Sequence, residues 1–238
     1  MRHLTILLFM TFVLFSQEIS SSFKDYKKVS LEDNHDFIAI YLSPKLSKSV
    51  KIIKNKYMDN LAEESKNAIE VKFKNKTLRI SISEGYSYDP NVVFRFKNVE
   101  DEVIVYCDDK IFISDSGFVY SINRMNDIYT THRKYQLSEK NVTEIKQPFH
   151  KMDIACKTSA LTKLYSQKYQ KGHVIASISK GRMLKILLAD MSKGTSRTME
   201  EREYLVETSF GLVGWVTSTS GYNQVIGNPL SCLMLYGD

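Results

Sequence analysis

Cys107, Cys156 and Cys232 are the only thiols in the chain, and a thiolate beside an imidazole would make a nucleophile. The imidazoles beyond the N-terminal segment are His35, His132, His150 and His173. None of them accompanies a strand-to-helix pattern that would set a cysteine at a helix start, where its pKa would fall. The cysteines lie too far apart for a CxxC-type metal or redox site, and no two histidines stand at ligand spacing. Asp108-Asp109 and Asp115 flank turns, where carboxylates cap backbone amides. The pattern points to no catalytic residue, no metal and no cofactor. Three is also an odd number of cysteines, so at most one internal disulfide can form and one thiol is left over.

Charge carries more. Residues 154–189 hold Lys157, Lys163, Lys168, Lys171, Lys180, Arg182 and Lys185 and no acid, bounded by Asp153 and Asp190. Solvated outer positions of strands and loops account for part of such a face. The rest of the reading is contact with an anionic envelope polymer or a lipid headgroup surface, in keeping with a net charge of +6.

The elements that must position these side chains read as strands. Tyr and Phe are plentiful, 14 and 12, while Pro and Gly number 4 and 10, a balance that favours strands over disorder. "DFIAIYLS" (36–43) is a short apolar strand before Pro44. From Asn55 to Ile69, apolar Tyr57, Met58, Leu61, Ala62, Ala68 and Ile69 fall near helical spacing and predict one short amphipathic helix. The period then becomes two through 71–83, 91–99, 101–107, 110–114, 118–124 and 127–137, the pattern of an antiparallel meander. Pro148 lies in the join, and a second β segment starts at Ile154.

The first residues form an address. Arg2 precedes an uncharged run of twelve residues, Leu4 to Phe15, shorter than the roughly 20 needed to span a bilayer but suited to a secretory signal peptide. Ser20 and Ser22 supply small residues for a cut after Ser22. Residues 1–22 are therefore read as signal peptide and 23–35 as a polar leader. The cut removes Arg2 and Glu18, one base and one acid, so the charge stays at +6. The expected location is outside the cytoplasm, periplasmic or secreted, with no membrane span and no nucleic-acid partner.

In the second half, Lys180-Gly181 joins two strands, Tyr204 and Val206 follow, and "FGLVGWV" (210–216) carries the only tryptophan. This order resembles the bacterial SH3-like domain, whose "kG–x–v–x–v" strand, "y–x–V" strand and closing "G–x–x–GWV" match Lys180-Gly181 with Met183 to Leu187, Tyr204 with Val206, and Gly211, Gly214, Trp215 and Val216. The resemblance covers about 75 residues. It implies a small β-barrel at 154–238 with Trp215 in its core, Gly181 and Gly211 in tight turns, and Gly214 making room beside the indole. The opening "LTKLYSQ" lacks the family's Asn-Val-Arg-x-x-Pro stretch, Glu203 stands where a tryptophan is common, and the loop at 190–202 is long. "NPLSCLMLYGD" (228–238) supplies a last apolar strand, Leu230 to Tyr236, that would close the barrel beside the first. That pairing would set Cys156 and Cys232 on neighbouring strands, although adjacency alone does not bring Cβ atoms near 4 Å. Cys107 shares a face with Val103 and Val105 and reads as a buried hydrophobe.

The resemblance places Lys163, Tyr165, Lys168, Tyr169 and Lys171 in the loop where such domains make contacts, and aromatic rings beside cations suit sugar or peptide faces. The expectation is a mainly β protein: an antiparallel meander domain at 36–150, then an SH3-like barrel. Its expected role is non-catalytic binding or scaffolding in the bacterial cell envelope, with peptidoglycan or a similar anionic polymer, or a protein, as partner. An envelope enzyme with its active site in 36–150 is the alternative, and an inhibitor of a secreted protein a third.

Overall fold

A computed structural model describes residues 21–31, 38–55, 64–84, 90–99, 101–124, 129–192, 201–219 and 228–233. Nearly all of these are strand or turn, so the protein is mainly β. No helix among the described residues is long and apolar enough to cross a membrane. The proposed signal peptide lies outside the described residues except for Ser21 and Ser22. The chain divides into two compact units, one of residues 1–121 and 134–144, the other of 122–133 and 145–238.

The first unit holds one whole sheet and most of another, whose strand ends at residues 122–123 and 131–133 belong to the second unit. One is a five-stranded antiparallel meander of β3 (Lys51–Lys54), β4 (Asn67–Phe73), β5 (Lys76–Glu84), β6 (Pro90–Phe96) and β7 (Glu102–Tyr106). Its apolar face follows from period-two alternation: Ile69, Val71 and Phe73, then Leu78, Ile80 and Ile82, then Val92, Phe94 and Phe96, all buried. The predicted helix over 55–69 is corrected here. Asn67, Ala68 and Ile69 begin β4, whose alternation continues through Val71 and Phe73, and residues 56–63 lie outside the described set. Only α1 (Pro44–Ser47) is helical among the named elements, with Pro44 in its first turn and the Ser43 hydroxyl accepting from the Leu46 N–H.

The other sheet has the order β1 (Lys27–Val29), β2 (Ala39–Leu42), β8 (Lys110–Ile113), β9 (Phe118–Asn123), β10 (Thr131–Leu137), β11 (Val142–Glu144). Two expectations change with it. The region is not one meander, because β2 pairs with β8 in parallel, Ala39 opposite Lys110 through Leu42 opposite Ile113. The polar leader also contributes a strand, β1 against β2. Phe23 helps tie it down by stacking on Phe112 at 4.3 Å and meeting Tyr120 edge-on. One buried cluster takes residues from both sheets, including Ile40, Leu42, Ile111, Ile113 and Leu137 beside the meander's apolar face. Burying each such side chain contributes roughly 1.5–3 kcal/mol. Cys107 is fully buried in that cluster and unbridged.

The second unit is built on one sheet of order β12 (Phe149–Lys157), β15 (Met183–Asp190), β16 (Glu201–Thr208), β17 (Val213–Thr219), β13 (Thr162–Tyr165), β14 (Val174–Ile178). β12 starts at Phe149, five residues ahead of the expected Ile154. It is bulged between Lys151 and Ile154, with Asp153 at φ +56°. The core face presents Cys156, Leu184, Ile186, Tyr204, Val206 and Val216, and Leu164 joins it from β13. Tyr204 is the largest fully buried side chain among the described residues. Among the described residues no last strand closes the ring. Leu230 makes one isolated bridge with Thr158, residues 231–233 form a turn, and 234–238 lie outside the described set. Cys156 and Cys232 are joined by a disulfide with Cα atoms 5.3 Å apart, and the Ser231 N–H and hydroxyl both donate to the Lys157 carbonyl.

Candidate functional site

Tyr165 ends β13 opposite Trp215 on β17, and this pairing organises the candidate residues. Gly214 permits it: a Cβ there would lie 3.0 Å from Leu164 Cβ and 3.1 Å from the Tyr165 carbonyl oxygen. Crowding thus comes from β13, with Ile175 of β14 at 3.2 Å. Gly181 and Gly211 occupy turns at φ +84° and +88°, a region that side chains rarely adopt.

After Tyr165 the chain forms a compact loop to His173. The Ser166 N–H donates to the His173 carbonyl and the His173 N–H to Ser166 Oγ. Tyr169 and Gln170, at φ +61° and +55°, turn the loop back. Gly172 completes it at φ +75°, where a Cβ would collide with Ser166 Oγ. The return brings Gln170 beside Lys163 and Tyr165, and the three line a groove of about 410 Å³ with Thr217, Thr219 and Glu201. The groove's wall is largely polar: hydroxyls, two amides (Gln170 and Asn228), a phenol, one ammonium and one carboxylate.

The five candidate contacts thus divide. Lys163 and Tyr165 face the groove. Tyr169 and Lys171 are exposed on the loop. Lys168 is turned inward, its ammonium 2.6 Å from buried Asp190 and over the rings of Phe149 (4.6 Å) and Trp215 (4.9 Å). Burial opposes ionisation of Asp190, but Lys168 and the Ser192 N–H (2.8 Å) hold its carboxyl below the usual range. Trp215 stands outside the buried cluster, half-exposed, with Phe149 beside it at 6.4 Å between centroids. Its place is the outer face of β17, while Val216 faces the core.

Next to Asp190 across the sheet lies Glu203, since Ala189 pairs with Tyr204. Glu203 is buried, with one carboxyl oxygen accepting from Thr217 Oγ1 at 2.7 Å. Sequence reading overlooked Asp190, Phe149 and Gly172. Asp190 carried a signal all the same, as one of the two acids that bound the basic stretch. The other, Asp153, takes Lys185 at 2.6 Å, and that contact raises the Lys185 pKa. Two of the seven bases are thereby neutralised inside the unit, leaving Lys157, Lys163, Lys171, Lys180 and Arg182 exposed.

Of the histidines, His173 closes the loop and His35 lies outside the described residues. Burial, with Arg133, Arg202 and His132 nearby, pushes His150 down to about 4, so it is neutral at pH 7 and meets the Tyr129 hydroxyl through Nδ1 at 3.1 Å. No cluster of three or more His, Cys, Asp or Glu suited to a metal occurs among the described residues. Within 36–150, the polar network around Glu64 takes Asn55, Ser81 and Arg95 as donors. Comparison with protein-family models, curated proteins and solved structures finds no match to the chain.

Proposed function

We propose that the protein is an exported, non-catalytic binding protein of the bacterial cell envelope, whose SH3-like second unit contacts an anionic polymer such as peptidoglycan. The observation that carries this reading is the groove of about 410 Å³ in which Lys163, Tyr165 and Gln170 converge with the hydroxyls of β17. An ammonium, a phenol and several short polar groups on a concave wall suit a sugar or peptide chain bearing carboxylates. Lys171 on the adjoining loop adds attraction at longer range. The three-stranded run β15–β16–β17, entered through Gly181 and turned at Gly211 between β16 and β17, supports the SH3-like reading. The apolar run after Arg2 supports export.

The test is a pull-down with purified peptidoglycan at low and moderate salt. Lys163→Glu/Lys171→Glu and Tyr165→Ala run beside the parent, and Lys168 is left alone because its ammonium is held by Asp190. Removing these contacts is expected to weaken retention roughly tenfold each, with the charge variant losing most of its salt dependence. Absence of parent binding at both salts would sink the polymer reading.

A further inference from the structure

The hairpin between β16 and β17 ends in a closed turn. The Thr208 N–H donates to the Leu212 carbonyl at 2.9 Å and the Gly211 N–H to the Thr208 carbonyl at 2.9 Å. The Leu212 N–H donates to Thr208 Oγ1 at 3.0 Å. These three bonds close the turn, and the side chains at its tip are exposed. Phe210 is 87% exposed, with Leu212 and Val213 exposed at 38% and 41%.

Strand register gathers other groups at this end. Leu184 pairs with Thr208, so Arg182 and Met183 leave β15 where Ser209 and Phe210 leave β16, and Met183 is 53% exposed. Met183 in turn pairs with Lys157, and a Cβ placed on Gly181 would lie 3.8 Å from Lys157 Cε. Lys157, Lys180 and Arg182 are therefore exposed cations at the same end of the sheet, on the β12 and β15 side of the tip. Lys185 is matched by Asp153, and Glu207 also acts on it. Solitary exposed apolar residues mean little, but four of them at one end of a sheet beside three bases form a patch.

We infer that this end of the second unit docks on a bilayer carrying anionic phospholipid. Phe210, Leu212 and Met183 enter the headgroup–acyl boundary, and Lys157, Lys180 and Arg182 meet the phosphates. The exposure selects this occupant: Phe210 stands 87% exposed at the tip of a hairpin, and neither it nor Leu212, Val213 or Met183 lines the groove described above. A bilayer makes room for a protruding ring, whereas a protein would need a matching pocket. Lys157, Lys180 and Arg182 beside it supply the charge complementarity. This surface is separate from the groove, whose walls come from the Thr217–Thr219 end of β17.

The experiment is co-sedimentation of the full protein with vesicles of phosphatidylcholine alone and with about a quarter phosphatidylglycerol. Phe210→Ser and Lys180→Glu/Arg182→Glu are compared with the parent, so any contribution from residues 4–15 is common to all three. Binding is expected on the anionic vesicles, falling as salt rises. Phe210→Ser is expected to weaken it roughly tenfold and the charge reversals by at least about as much, with unchanged melting temperatures. Equal binding by Phe210→Ser and parent, or equal binding to both vesicle types, overturns the inference. So does a parent dimer that Phe210→Ser converts to monomer without lipid, which would give the tip to a second copy of the chain. Peptidoglycan binding reads Lys163, Tyr165 and Lys171, so either proposal can fail without the other.

Discussion

The meander sheet of the first unit and the single sheet of the second handle charge in opposite ways. Across the meander one row runs Lys51, Glu70, Arg79, Arg95, Glu102, each opposite the next on the neighbouring strand. The one like-charge neighbour pair, Arg79 with Arg95, is resolved by Glu70 on the first (2.9 Å) and by Glu64 and Glu102 on the second. In the second unit the corresponding conflict is between acids, Asp190 beside Glu203, and its cation, Lys168, comes from a loop rather than a strand. Beyond that, its exposed bases have few acids among them. A sheet whose counter-charges sit in its own rows is electrostatically complete, while one that leaves cations exposed has charge to offer a partner.

The largest effect that would test this contrast is expected at Arg95. Arg95→Ala leaves the Glu64 carboxylate buried without its main cation, and breaking such a pair costs about 3 kcal/mol. Urea unfolding should show that loss, and adding Glu64→Gln should recover part of it. A loss under about 1 kcal/mol would mean that Asn55 and Ser81 alone satisfy Glu64.

Acid should separate the units next. The described histidines, His132, His150 and His173, all fall in the second unit. Because the folded pKa of His150 is pushed down to about 4, the unfolded chain takes up its proton first as pH falls below about 6.5. Stability from this residue is full above pH 6.5, declines toward pH 4 and changes no further below, by at most about 3 kcal/mol. Unfolding of parent and His150→Gln across that range measures it, and parallel curves would remove His150 as the cause.

A smaller effect should follow at the loop cation. Lys168→Ala removes both the ion pair with Asp190 and the contacts to Phe149 and Trp215, expected to cost about 1–2 kcal/mol. Lys168→Met keeps the stem over the rings and isolates the charge. Trp215 is the only tryptophan, so its fluorescence reports the change directly. An unaltered spectrum in Lys168→Ala would show that the ammonium does not rest on the indole in solution.

Much of the strand content was readable because alternation such as Leu78, Ile80, Ile82 is a local signal. The parallel pairing of β2 with β8 was not, since about 70 residues separate the partners and nothing in either strand names the other. Helical spacing misled at Ala68 and Ile69 because two apolar neighbours fit either period. At the candidate site, the residue types of the basic stretch were visible but their partners were not: the Asp190 that takes Lys168 lies on another strand. Trp215 was misplaced for a related reason. Alternation puts Val216 and Trp215 on opposite faces, and only the three-dimensional arrangement shows which face is the core.

The disulfide between Cys156 and Cys232 changes the topology of the second unit as well as its stability. Everything from Lys157 to Ser231, hence β13 through β17, lies within one covalently closed loop. A single backbone cleavage inside that loop, in the 193–200 segment for example, yields two pieces that remain one molecule. The hairpin tip and the β17 wall of the groove would then stay tethered to β12 until the sulfur–sulfur bond is reduced.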